Sequence, residues 1–180
     1  MDLLDFTGEE MYFDQPVGPE VEALIERASE CYGEPQAEHC LLRAYFLEPD
    51  HLTVLVALYR YFYYRHAYAD ALLVADRAIR LAALRLGVAP QWRRLSRQDL
   101  GNAVMQSTAL TRFLLLAIKG SGYLLMRLGD VGAALERFEK VVEMDTSNRL
   151  GMTELVAIAR SRVAEERVAA AGDKVTWLRR

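Results

Sequence analysis

The chain has 180 residues, 52% hydrophobic and 26% charged, with 5 prolines and 11 glycines; that is enough for one well-cored domain and excludes a disordered or collagen-like chain. No window of about 18 residues is free of charge, the first residues are acidic (Asp2, Asp5), and only Cys31 and Cys40 are cysteines, so no membrane span, secretory signal or disulfide framework is expected and the reading is cytoplasmic. The net charge of −3 conceals an asymmetry: residues 1–50 hold 13 acidic and 2 basic residues, and residues 51–180 hold 12 acidic and 20 basic ones, which suits either internal pairing or a basic face offered to an acidic partner.

Residues 1–17 carry Asp2, Asp5, Glu9, Glu10 and Asp14 without a helical period and predict an extended acidic arm. A helix then starts at Pro19, with Val21, Leu24, Ile25 and Ala28 on one face. Gly33 ends it, Pro35 opens the next, and Ala37, Cys40, Leu41 and Ala44 form that helix's stripe until Pro49 forbids continuation. The segment from His51 to Arg65 is rich in Val and Tyr and has strand propensity, but it is about twice the usual strand length. It is read as helix, followed after His66 and Ala67 by a helix carrying Tyr68, Ala71, Ala75 and Ala78.

The reason is a repeat. Val21 and Leu55, Ala37 and Ala71, and Ala44 and Ala78 are each 34 residues apart. A third copy has a first helix at Ile118–Leu128, with Gly122 at the close-packing position, and a second after Gly129, with Ala134, Phe138, Val141 and Val142. Ala71 and Ala134 are 63 residues apart, which implies an insertion of 29 residues over roughly 86–114. Within it, Ser96 and Asp99 form a capping box that starts a helix running to Arg127 or breaking near Gly120. The last helix, 150–171, puts Met152, Leu155, Val156, Ala159 and Val163 inward, and a tail follows over 172–180. A period of about 34 residues in helical hairpins is that of the tetratricopeptide repeat. Arg43-Ala44-Tyr45-Phe46-Leu47-Glu48-Pro49-Asp50 and Tyr68-Ala69-Asp70-Ala71 resemble such repeats, over about residues 18–84 and 115–160. The expected fold is therefore all-α: a solenoid of three helical hairpins with a C-terminal capping helix, in one domain over 18–171, with the inserted segment between the second and third hairpins.

The whole chain also resembles the small repeat proteins found with bacterial nitrogenase systems. Phe46-Leu47-Glu48-Pro49-Asp50-His51-Leu52-Thr53-Val54-Leu55-Val56-Ala57-Leu58 and Lys119-Gly120-Ser121-Gly122-Tyr123-Leu124-Leu125-Met126-Arg127-Leu128-Gly129 carry that likeness. It implies an accessory factor that engages nitrogenase, such as its molybdenum-iron protein, or a maturation intermediate. In the repeat family the first helix of each hairpin lines a concave groove. Carried over, the groove positions are Val56, Arg60, Tyr63 and Tyr64 in the second repeat and Lys119, Tyr123, Met126 and Arg127 in the third, followed by Arg160. The first repeat places Glu22, Glu26 and Glu30 there, which would repel the C-terminal carboxylate of a chaperone. Tyrosine and arginine suit protein recognition, so a partner with an acidic or mixed surface is expected.

No catalytic set is evident, and a non-catalytic protein without cofactor is expected. His39 with Cys31 and Cys40 lacks zinc-module spacing and a fourth ligand, so no metal is expected. Gly120-Ser121-Gly122 lacks the strand and lysine of a phosphate loop. Residues 60–97 hold 8 arginines against Asp70 and Asp76, but with a pI near 5.7 nucleic acid is disfavoured. The other readings are a generic scaffold, an RNA-associated adaptor, and a dimerising subunit that would expose Val104, Leu110 and Leu114.

Overall fold

In the computed structural model, residues 16–176 are described, with side chains through residue 171. The acidic arm expected over 1–17 lies, apart from its last two residues, outside the described residues, as do the last four residues of the expected tail. Among the described residues there are eight α-helices, one 3-10 turn and no strand.

The first hairpin is α1 (Pro19–Glu30) and α2 (Pro35–Leu47), each with proline in its first turn. Val21 and Ala28 of α1 are buried with Ala37, Cys40, Leu41 and Ala44 of α2. His51 starts α3 (Leu52–Tyr64), its Nδ1 accepting from the Thr53 N–H at 3.3 Å. This helix buries seven residues, including Val54, Leu55, Val56 and Tyr59. It is apolar on nearly all sides because α1, α2 and α4 all lie against it, and that burial overrides the strand propensity of its residues. The α4 helix (Tyr68–Arg85) lies against α3 and α6 and buries Ala71, Ala75, Ala78 and Ala82, small residues that let neighbouring axes come close.

The positions 34 residues apart in sequence have matching burial. Ala37 and Ala71 are both fully buried, as is Ala134 in the third copy. The ends match too. His66, after α3, and Gly129, 63 residues later, both take left-handed backbone (φ 59° and 86°), and the next residue's N–H bonds back five positions in each case, Ala67 to Phe62 and Asp130 to Leu125.

The chain after α4 makes a 3-10 turn (Trp92–Arg94) and α5 (Arg97–Gln106). Trp92 and Leu95 are buried, and the segment is tied to the body by Arg97 Nε to the Glu143 carbonyl (2.9 Å) and Lys140 Nζ to the Leu95 carbonyl (3.1 Å). The helix begun at Ser96 breaks at Ser107, not near Gly120. Ser107 has extended backbone (φ −158°, ψ 110°), ends α5, and caps α6 (Thr108–Leu128) by accepting from the Leu110 N–H at 3.2 Å. Residues 108–114 are thus the first turns of α6, and Leu110, Phe113 and Leu114 join the core. By length and composition α6 would cross a membrane, but 67% of its most apolar window is buried in this protein, where it lies against α4, α5 and α7.

Two glycines and a serine that resembled a phosphate loop lie inside α6. A Cβ on Gly122 would meet Phe138 of α7 (Val131–Met144) at 2.6 Å, so the glycine sets the distance between α6 and α7. Buried Ser121 donates to the Ile118 carbonyl (2.7 Å) and accepts from Arg137 Nη1 (2.7 Å). The same guanidinium grips Asp76 of α4 by two bonds, 2.5 and 3.1 Å. Arg137 is therefore a buried cross-link between α4, α6 and α7. Finally α8 (Met152–Thr176) covers α7 through Met152, Val156 and Ala159.

Candidate protein-binding groove

The α1 and α3 helices, with the turn after α1, enclose a groove of about 660 Å³. Arg60, Tyr64 and Val56 of α3 line it, as the repeat register expects, opposite Ile25, Ser29 and Tyr32. Tyr32 is at the turn, and its hydroxyl donates to the Arg60 carbonyl at 3.1 Å, which ties the end of the first hairpin to the middle of α3. Tyr64 is 47% exposed and packs edge-on to Tyr32, ring centroids 6.5 Å apart. Glu22, Glu26 and Glu30 are exposed along α1. The groove is thus apolar in its floor and aromatic at one end; Ile25, Ala28 and Ser29 of α1 line it, and Glu22, Glu26 and Glu30, expected there, do not.

Tyr63 turns to the other side of α3. Its ring stacks on Tyr59 (6.0 Å, 18°), meets Tyr64 edge-on (5.4 Å) and approaches Tyr68 (6.2 Å) and Tyr123 of α6 (6.5 Å). Residues from the second and third hairpins that are 60 apart in sequence therefore share one aromatic surface. Arg127 closes it: Nη2 donates to the Tyr68 hydroxyl at 2.9 Å and the guanidinium carbon lies 5.1 Å over that ring. The bonds it donates to the hydroxyls of Tyr68, above all, and Tyr123 hold Arg127 still more firmly protonated. Arginine can only donate, so the Tyr68 hydroxyl accepts there; the same hydroxyl also hydrogen-bonds His66 Nδ1, 2.6 Å away, with the donor set by the imidazole tautomer. His66 adopts left-handed backbone, which is uncommon for a non-glycine residue, and this places its ring beside Tyr68.

Not every carried-over residue joins this surface. Lys119 reaches away to the loop before α8, donating to the Leu150 carbonyl at 2.6 Å, and its partial burial lowers its proton affinity. Arg160 pairs with Glu139 of α7 at 2.8 Å. Met126 is half-buried against the main core. Tyr32, Tyr68 and His66 were absent from the expected set. Their signal was compositional: 9 tyrosines in the chain, seven of which (Tyr32, Tyr59, Tyr61, Tyr63, Tyr64, Tyr68 and Tyr123) form one connected cluster of rings.

The other chemical candidates resolve differently. Cys40 is buried in the α1–α2 stripe while His39 is exposed, and no group of three metal-ligating side chains occurs among the described residues. The arginine-rich stretch is not a free basic strip. Arg77 pairs with Asp50, Arg85 donates to the Asp50 carbonyl, Arg93 pairs with Glu136 and Arg97 holds the Glu143 carbonyl.

The chain is 44% identical over 165 residues to an uncharacterized 19.8 kDa protein in the nifW 5′ region of Azotobacter chroococcum mcd 1, a match that covers 92% of each chain. The chain belongs to the family of that nifW-region protein. No family model matches it, and no solved structure does. The match spans nearly the whole chain, so its length takes in both the α1–α3 groove and the segment between α4 and α6.

Proposed function

We propose that this member of the nifW-region family is a non-catalytic adaptor built on tetratricopeptide-type hairpins, and that it serves nitrogen fixation as an accessory factor. Its partner in this reading is nitrogenase, through the molybdenum-iron protein, or a maturation intermediate of that enzyme. The observation that carries the reading is the relative in the nifW 5′ region, similar over 92% of both chains. The matched burial of Ala37 and Ala71, 34 residues apart, supports the repeat assignment, with hairpins α1–α2, α3–α4 and α6–α7 and α8 as the cap. The groove supports the binding role: an open apolar floor, rigid tyrosines and Arg60 at its edge are the composition of protein-recognition hot spots.

The test is direct binding of the purified chain to purified molybdenum-iron protein, without oxygen, by titration calorimetry. Saturable binding that Arg60→Glu weakens by about tenfold or more, with the melt unchanged, supports the reading. Binding that is absent for both the mature protein and intermediates purified from maturation-deficient cells overturns it. A dimerising role has one supporting observation, the exposure of Val104 and Met105 on α5. Leu110 and Leu114, expected beside them, are buried, and sedimentation of the chain alone separates this second reading from the first.

A further inference from the structure

The segment between α4 and α5 has no counterpart in the other hairpins. It closes over α4 and α7 to make a cleft of about 560 Å³, distinct from the α1–α3 groove. Ile79 and Trp92 lie in its floor, and Arg80, Arg93, Arg94 and Arg137 line it. Two of these arginines are committed. Arg137 holds Asp76 and Ser121, and Arg93 holds Glu136 at 2.8 Å with its guanidinium carbon 4.4 Å from the centre of the Trp92 ring. Arg80 and Arg94 are exposed, and among the described residues neither side chain has a hydrogen-bond or ion-pair partner. The acids beside the cleft, Asp76 and Glu136, are both engaged, so an excess of positive charge faces solvent.

We propose that this cleft is a second docking site, which takes an acidic segment of a partner protein that also carries aliphatic side chains. Arg80 and Arg94 would fork its carboxylates, and the partly exposed Pro90 beside the buried Ile79 and Trp92 would receive its aliphatic groups. Three features favour such a peptide. The cleft already holds a carboxylate in two-pronged geometry, Asp76 on Arg137, which is the pairing that arginine makes best. Its volume and apolar floor would be wasted on a bare ion. Its one aromatic ring, Trp92, is 8% exposed and lies under two guanidiniums, Arg93 and Arg137, so no free plane is left for a nucleobase to stack on.

The experiment follows the fluorescence of Trp92 in the full chain carrying Trp177→Phe, which leaves Trp92 as the one tryptophan of the two. The probe is a short blocked peptide alternating glutamate and leucine. A saturable change in emission is expected, weaker at high salt, absent with the glutamine–leucine peptide, and at least about tenfold weaker in Arg80→Glu/Arg94→Glu. Neither arginine has a partner to lose, so that variant should keep its helical circular dichroism; if it does not, Arg80→Gln/Arg94→Gln serves in its place. Arg60→Glu should leave the peptide's affinity unchanged, so failure here and failure of the groove reading are separate results. No saturation, equal affinity in the arginine variants, equal affinity for inorganic phosphate alone, or tighter binding of a single-stranded oligonucleotide would each overturn the proposal.

Discussion

Arg137 shows how a single residue's role depends on what it meets across the fold. Arg137 is 8% exposed and its guanidinium is bonded to Asp76 and Ser121, so removal would leave a carboxylate and a hydroxyl without their donor. Arg137→Ala should cost about 3 kcal/mol, the low end for breaking a buried pair because Asp76 keeps some contact with water. Arg77→Ala should cost under about 1 kcal/mol, since its pair with Asp50 is solvent-exposed. Urea unfolding of the two variants checks this, and equal midpoints would refute the cross-link. Packing offers a similar contrast. Leu58 is 2% exposed, and Leu58→Ala should lose ~2–5 kcal/mol by leaving a cavity. Leu58 falls within the apolar segment that the sequence reads as helix. The burial of Arg137 was not legible, because helical period predicts a face, and only the third dimension supplies an acid from α4 to bury with it.

At the level of the element, helix starts and ends were readable wherever proline or glycine marks them: Pro19, Pro35 and Gly129. The break between α5 and α6 has neither. It lies in Met105-Gln106-Ser107-Thr108, where Ser107 wins as a cap for α6. Ser107→Ala should therefore cost about 1 kcal/mol. Two glycines on helices should respond in opposite ways to alanine. Gly132, with nothing within 4 Å of an added Cβ, should gain up to about 1 kcal/mol. Gly122, whose Cβ would meet Phe138 at 2.6 Å, should lose ~1–3 kcal/mol. Thermal melts that moved the same way for both would contradict the close α6–α7 contact. The start of α5 should also respond to acid. The Asp99 carboxylate accepts from the Ser96 hydroxyl (2.7 Å) and N–H (2.9 Å), which holds it below the ordinary carboxylate range. Since the folded state binds this proton less well than the unfolded one, the cap's contribution is present above the usual aspartate range and fades as pH falls below it. Amide exchange across α5 should speed up in acid relative to the rest of the chain, and Asp99→Asn should remove that difference.

The whole molecule draws residues of α1, α3, α4 and α6 onto neighbouring surfaces. The repeat register puts these residues in one groove; the structure divides them, with Val56, Arg60 and Tyr64 in the α1–α3 groove and Tyr63, Tyr123 and Arg127 in an aromatic cluster on the other side of α3. The register did not foresee Tyr32 and Tyr68, which lie at helix ends, where the turn's backbone and not the helical period fixes a side chain's direction. Nor did it foresee that Lys119 and Arg160 would be held by Leu150 and Glu139, because a stripe does not say what a long side chain can reach. The groove set should act in binding and not in folding. Tyr64→Ala and Arg60→Glu should leave the melt nearly unchanged, and Arg162→Glu, on the exposed side of α8, is the control. The deciding measurement is the anaerobic calorimetric titration of purified molybdenum-iron protein, or an isolated maturation intermediate, with the parent chain, the Tyr64→Ala/Arg60→Glu double variant and Arg162→Glu. Saturable binding by the parent and the Arg162 control is expected, with a loss of about tenfold or more in the double variant; equal binding by all three, or none by the parent to either target, would contradict the adaptor role.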